Sequence, residues 1–160
     1  MATFTSTVYK GNVAKFYQTG NVSVSGQFSW AAVVGAAASV GDVVFLAKVP
    51  HGAKIVDFYE YHSANASAMA VNVGFDRGVA AGGGSGVSCL ISSGAQATMN
   101  RLSLATSPAA GNAPLTLSLS DLDTVRYAAL QATIVGPNTG TTSVFINFNL
   151  IYRFDGPDPK

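Results

Sequence analysis

Two histidines, one cysteine and eight carboxylates are the residues of this 160-residue chain suited to acid–base, nucleophilic or metal chemistry. Their spacing argues against each. His51 stands in a Pro50-His51-Gly52 turn and His62 closes a strand-like run further on, with no His-x-His, His-Glu-x-x-His or Cys/His cluster, so no zinc site is expected. Asp57 and Glu60 are three apart in an alternating run, which puts them on opposite faces of a strand and rules out a carboxylate pair built from that strand alone. Asp121 and Asp123 share a side, but in a turn, where they read as solvated carboxylates before a weak calcium site. Asp76 and Arg77 read as a strand-end ion pair. The run Gly82-Gly83-Gly84-Ser85-Gly86 lacks the Gly-Lys-Ser/Thr ending of a phosphate loop, and Ser85 is not in a Gly-x-Ser-x-Gly elbow. Cys89 sits in the apolar run Val87-Ser88-Cys89-Leu90-Ile91 and reads as a small buried hydrophobe. Asp57, Tyr59 and Tyr61 are the one aromatic and acidic cluster that suits contact with a glycan, although most aromatic residues at strand positions serve packing. No catalytic residues, cofactor or metal are expected.

The elements that must carry these residues are strands. From Val144 to Phe154 every second residue is apolar: Val144, Ile146, Phe148, Leu150, Tyr152 and Phe154. Such period-two alternation marks a long strand with one buried face. Phe145 and Ile151 interrupt the polar run on the other face, which implies that another sheet edge or another chain half-covers it. Val71, Val73 and Phe75 alternate in the same way and are expected to share that core. Pro50-His51-Gly52-Ala53 is a turn in which Pro fixes φ and Gly supplies φ > 0. Residues 124–154, broken at Gly136-Pro137-Asn138-Thr139-Gly140, read as a terminal antiparallel hairpin.

Eight or nine short strands without a convincing long helix predict an all-β protein: an antiparallel, jelly-roll-like β-sandwich over residues 41–155. Residues 1–40 show few strand signals and carry Trp30 and a run of small apolar residues that includes Val33 and Val34. They are expected to form an extended N-terminal arm, with residues 156–160 as a polar tail. Trp30, Val33, Val34, Phe145 and Ile151 are the expected contacts with other copies or with a partner.

Composition supports association. The chain is 48% hydrophobic and 11% charged, against about 25% charged in ordinary soluble domains. Mean hydropathy is +0.31. Charged residues are scattered singly, with a net charge of +1, so there is no basic cluster for phosphate-driven nucleic-acid binding. The uncharged part of the apolar stretch, Trp30 to Gly41, falls short of the ~20 residues of a spanning helix. Met1 to Thr5 has neither the basic start nor the apolar stretch of a secretory signal, and Asn21-Val22-Ser23 and Asn65-Ala66-Ser67 are read as chance matches to the glycosylation pattern.

The stretch Gly41-Asp42-Val43-Val44-Phe45-Leu46-Ala47-Lys48-Val49-Pro50-His51-Gly52-Ala53-Lys54-Ile55-Val56-Asp57-Phe58 resembles a strand–Pro-x-Gly-Ala–strand unit of small virion proteins of tailed bacteriophages. The ending Phe148-Asn149-Leu150-Ile151-Tyr152-Arg153-Phe154-Asp155 is similar to the way such proteins close. The resemblance implies a non-enzymatic capsid decoration, or cement, protein. Such a protein would be made in the bacterial host cytoplasm, form a homotrimer, and bind the major capsid protein on the phage head surface. A receptor- or glycan-binding module of a spike, head fibre or tail is the alternative, with Asp57, Tyr59 and Tyr61 as its contacts.

Overall fold

In a computed structural model the chain forms two facing β-sheets. The structure describes residues 2–11, 20–29, 39–50, 52–63, 69–76, 79–81, 89–95, 99–103, 115–118, 127–136 and 145–154. The first sheet contains β1 (Thr3–Thr5), β3 (Val43–Pro50), β10 (Tyr127–Ile134), β5 (Ala70–Phe75) and β7 (Ile91–Ala95), in that spatial order. The second runs β2 (Val22–Ser29), β11 (Phe145–Arg153), β4 (Lys54–His62), β9 (Leu115–Ser118), β6 (Val79–Ala81), with β8 (Asn100–Ser103) also paired to β4. Every pairing is antiparallel except that of β1 with β3. A short helix, α1 (Thr7–Gly11), follows β1.

Strands β1 to β8 alternate strictly between the sheets, β9 stays in the second sheet with β8, and β10 and β11 alternate again. The central orders β2-β11-β4-β8 and β3-β10-β5-β7 are those of a jelly roll, two Greek keys wrapped into a double sheet. This corrects the expected terminal hairpin. β10 and β11 are neighbours in sequence but lie in opposite sheets, so they face each other across the ~10 Å between layers instead of pairing within one. A Gly/Pro-rich connection signals a change of direction, not which sheet comes next.

Val71, Val73 and Phe75 from one sheet meet Ile146, Phe148, Leu150 and Tyr152 from the other, all buried, as the alternation predicts. Val144 lies outside the described residues. The register shifts between β5 and β7 at Val71/Val73, and alternation breaks at a bulge in β4 and in β3. In β4, Ile55 pairs with Tyr152 and Asp57 with Ile151, leaving Val56 as the extra residue. The extra residue puts Ile55 on the same inward face as Phe58, Glu60 and His62. Strict alternation would place Ile55 with Asp57 on the outward face. In β3, Leu46 is the extra residue, and Leu46 and Ala47 are both buried. The Pro50–Ala53 corner carries β3 into β4, with Ala53 N donating to the Pro50 carbonyl at 3.3 Å and Gly52 at φ 78°.

The N-terminal residues are part of this body, which corrects the expected arm over residues 2–11 and 20–29. β2 pairs with β11 along its whole length, from Ser29 opposite Phe145 to Val22 opposite Tyr152. β1 pairs with β3, and Asp42 ties the two together: Oδ1 accepts from Ala2 N at 2.9 Å and Oδ2 from Ser39 N at 2.9 Å. Phe4 lies against Phe28, Val8 packs on the core, and Tyr9 stacks on Phe45 with centroids 5.5 Å apart. Lys48 Nζ sits 5.2 Å from the Tyr9 ring and 5.3 Å from the Tyr127 ring, a cation clasped between helix and sheet. Residues 2–11 therefore close the seam between the β2 edge of one sheet and the β3 edge of the other. Trp30, Val33 and Val34 lie outside the described residues, as do His51, Arg77, the Gly82 to Gly86 run, Asp121 and Asp123.

Candidate functional site

The outward face of the second sheet gathers most of the residues singled out by sequence. Because β11 alternates, Phe145, Asn147, Asn149 and Ile151 point away from the core, each half-buried. Past the β4 bulge the alternation is regular, and Asp57, Tyr59 and Tyr61 point the same way. The registers set them in rows: Tyr61 opposite Asn147 and Gln27, Tyr59 opposite Asn149 and Ser25, Asp57 opposite Ile151 and Ser23. Phe145 and Ile151 share this face, but six residues at ~3.4 Å each separate them by about 20 Å, so they belong to opposite ends of it.

Tyr59, Tyr61, Asn147, Asn149 and Met99 line a groove of about 290 Å³. Tyr61 leans on Phe145 with centroids 6.0 Å apart. The Arg101 guanidinium lies over the Tyr59 ring at 5.8 Å and grips Asp57 with two hydrogen bonds, Nη2 to Oδ2 at 2.6 Å and Nε to Oδ1 at 3.2 Å. The hydrogen bond and charge of Asp57 push the Arg101 pKa further up, so the guanidinium stays charged. Asn149 Oδ1 accepts from Ser23 Oγ at 3.0 Å, which orients its amide. Met99 is 66% exposed, so its apolar side chain is open to a partner.

Directly behind this face is a buried polar cluster that sequence reasoning missed. Glu60 and His62 are two apart on the inward side of β4, with His62 Nδ1 2.7 Å from Glu60 Oε1 and neither side chain exposed. Asn100 Nδ2 donates to Glu60 Oε2 at 2.9 Å, and His62 Nε2 lies 3.2 Å from the Met69 carbonyl. The signal was present: two ionisable residues in phase with Phe58 must be buried, and buried ionisable groups need partners. The cluster fastens β4 to β8 and to the start of β5. The imidazole and the carboxylate are shut off from solvent, and the cluster has the marks of a structural clasp. Cys89 is half-buried against the core, and burial pushes its thiol up to about 11. Asp76 accepts from Ala129 N at 2.7 Å through Oδ1, which continues the β5–β10 ladder past the strand end. Among the described residues no group of three or more His, Cys, Asp or Glu side chains could hold a metal ion, and no helix is long and apolar enough to cross a membrane.

One end of the sandwich forms a second exposed feature. There β2 ends, β3 begins and β10 ends, with Gly41 N donating to the Ile134 carbonyl at 2.8 Å. Val40 is 55% and Val135 38% exposed at this end, and Phe145 begins β11 beside it. Ser29 and Ser39, which flank the apolar segment containing Trp30, Val33 and Val34, are at the same end.

No protein-family model matches the chain, and no curated protein matches it. Among solved structures the fold is similar to a chain of the capsid of Ralstonia phage GP4, with TM-score 0.63 and 14% identity over 96% of this chain and 98% of that one. It is also similar to a chain of the cyanophage Pam1 capsid asymmetric unit, with TM-score 0.55 and 15% identity over 90% and 93%. At such identities the likeness is one of fold, and it extends over nearly the whole of each chain.

Proposed function

We propose that this chain is a non-enzymatic structural protein of a phage virion, a decoration or cement protein that binds the head shell as a homotrimer. The observation that carries the reading is the end-to-end match of its jelly roll to chains of two phage capsids. The low charge and the exposed valines at one end of the sandwich support association. Val40, Val135 and Phe145, with the segment that contains Trp30, Val33 and Val34, form the contact with neighbouring copies and with the major capsid protein. Ile151, at the far end of its face, is not in that contact.

The mechanism is mechanical. Packaged genome presses capsomers apart, and a subunit bridging two of them adds buried surface that must be exposed before they separate. Apolar area contributes at most about 25 cal/mol per Å², less the cost of ordering, and many copies bound at once multiply the effect. The test is to sediment the purified chain alone and with phage heads lacking it. The expected results are a mass three times the chain's 16.4 kDa and co-sedimentation with heads. Val135→Asp and Phe145→Asp should abolish both while the chain remains folded. A monomer that ignores heads would overturn the reading.

A further inference from the structure

From the groove between β4 and β11 we infer a binding site for a neutral oligosaccharide, on a surface that adjoins the apolar end assigned above to assembly where Tyr61 meets Phe145. The groove's lining identifies the ligand class. Among the described residues the hydroxyls of Tyr59 and Tyr61, the Asn147 amide and the Asn149 Nδ2 make no hydrogen bond within the chain. Hydroxyl and amide groups together offer both donors and acceptors, the complement of a polyol. Tyrosine rings present apolar faces on which the C–H face of a pyranose stacks. Tyr59 and Tyr61 are two residues apart on one strand, ~7 Å along it, so successive rings of a chain ligand meet successive side chains. The volume, about 290 Å³, is at the small end of the ~300–1,000 Å³ of ligand sites and suits one to two sugar rings with the remainder lying along the face.

Other ligand classes fit less well. An added peptide strand needs a free backbone edge, but β4 and β11 already pair with each other at this place. Nucleic acid needs unpaired cations for its phosphates, and Arg101, the cation beside the groove, is held by Asp57. An acidic glycan has the same difficulty. Glu60 borders the groove, yet its carboxylate is turned inward to His62 and Asn100, so it neither repels nor attracts a ligand. What is left is an uncharged lining of aromatic, amide and thioether groups.

The full-length chain is applied to an array of neutral and acidic oligosaccharides, then titrated with maltotriose, cellotriose and the N-acetylglucosamine trimer by calorimetry. At least one neutral glycan should bind saturably. Asn147→Ala and Tyr61→Ala should each weaken it tenfold or more with an unchanged melting curve, and Tyr61→Phe should weaken it less. Should Tyr61→Ala fail to fold, Asn147→Ala carries the test. Val135→Asp, which is expected to lose head binding, should keep glycan binding, so the two readings fail separately. Binding of acidic glycans alone, binding unaffected by the Asn147 and Tyr61 substitutions, or no neutral glycan bound above the Tyr59→Ala/Tyr61→Ala double variant would each overturn the inference.

Discussion

His62 Nδ1 lies 2.7 Å from Glu60 Oε1 with both side chains fully buried, two residues apart on one strand. The Met69 carbonyl only accepts, so His62 Nε2 carries a hydrogen and donates to it at 3.2 Å. One further hydrogen lies between Nδ1 and Oε1, and Asn100 satisfies the other carboxylate oxygen. The cluster acts as a unit. Glu60→Ala should cost about 3–5 kcal/mol, because it leaves the fully buried imidazole without the partner of its Nδ1. Glu60→Leu combined with His62→Leu should cost clearly less than the sum of the two single changes. Urea denaturation of the three variants measures this, and strict additivity would show that the two residues do not act together.

Tyr152 carries a different consequence of burial. Its ring is fully buried and edge-on to Phe154, with centroids 5.9 Å apart. Its hydroxyl is the single buried side-chain oxygen or nitrogen without a partner among the described residues. Tyr152→Phe keeps the ring and removes the unpaired group, so stability should hold or rise by up to about 1–2 kcal/mol. A fall in the urea midpoint would mean that the hydroxyl is hydrated or bonded in solution.

Alkaline stability should report on Cys89. Its folded thiol is raised from 9.0 to about 11, chiefly by burial, so between these values the unfolded chain releases a proton that the folded chain keeps. The stabilisation from the buried thiol is complete below pH 9 and is lost as pH rises through about 11. Burial raises the Tyr152 phenol too, which acts in the same direction. Alkylation by iodoacetamide should reach half its maximal rate near pH 11 in the folded chain and near pH 9 in guanidinium. Equal profiles would place Cys89 in solvent.

Much of the fold was legible because burial in a sandwich repeats every two residues. Val71, Val73, Phe75, Ile146, Phe148, Leu150 and Tyr152 all face the core as their alternation predicts, and Gly52 has the positive φ its turn demands. Asp57, Tyr59 and Tyr61 do share one outward face. What alternation cannot carry is register. The bulge at Val56 shifts Ile55 inward, and the rows joining Tyr61 to Asn147 and Tyr59 to Asn149 depend on which strands pair. The groove was therefore half legible: its tyrosines were visible, its asparagines were not assigned to it. The N-terminal strand was hidden for another reason. Val22, Val24 and Phe28 do alternate, but Gly26 breaks the series at the one inward position where another part of the chain, Val8 of α1, fills the space.

That glycine gives the most direct test of whether the N-terminal residues are arm or body. A Cβ at Gly26 would collide with Val8 Cγ2 and press on Phe148, its partner across the β2–β11 ladder. Gly26→Val should cost about 1–3 kcal/mol by overpacking, and Val8→Ala in the same chain should recover part of that loss. Removing residues 1–11 takes away Phe4, Val8, Tyr9 and the Ala2 contact to Asp42. It uncovers Phe28 and Phe45, so the melting midpoint should fall while the β circular-dichroism spectrum persists. Removing residues 1–36 also deletes β2 and strips β11 of its partner on one edge from Phe145 to Tyr152, leaving it held by β4 alone. Cooperative unfolding should then disappear. Were the 1–36 deletion to melt with the sharpness and midpoint of the full chain, the sheet would not need its β2 strand, and the segment would be an arm that merely rests on the sandwich.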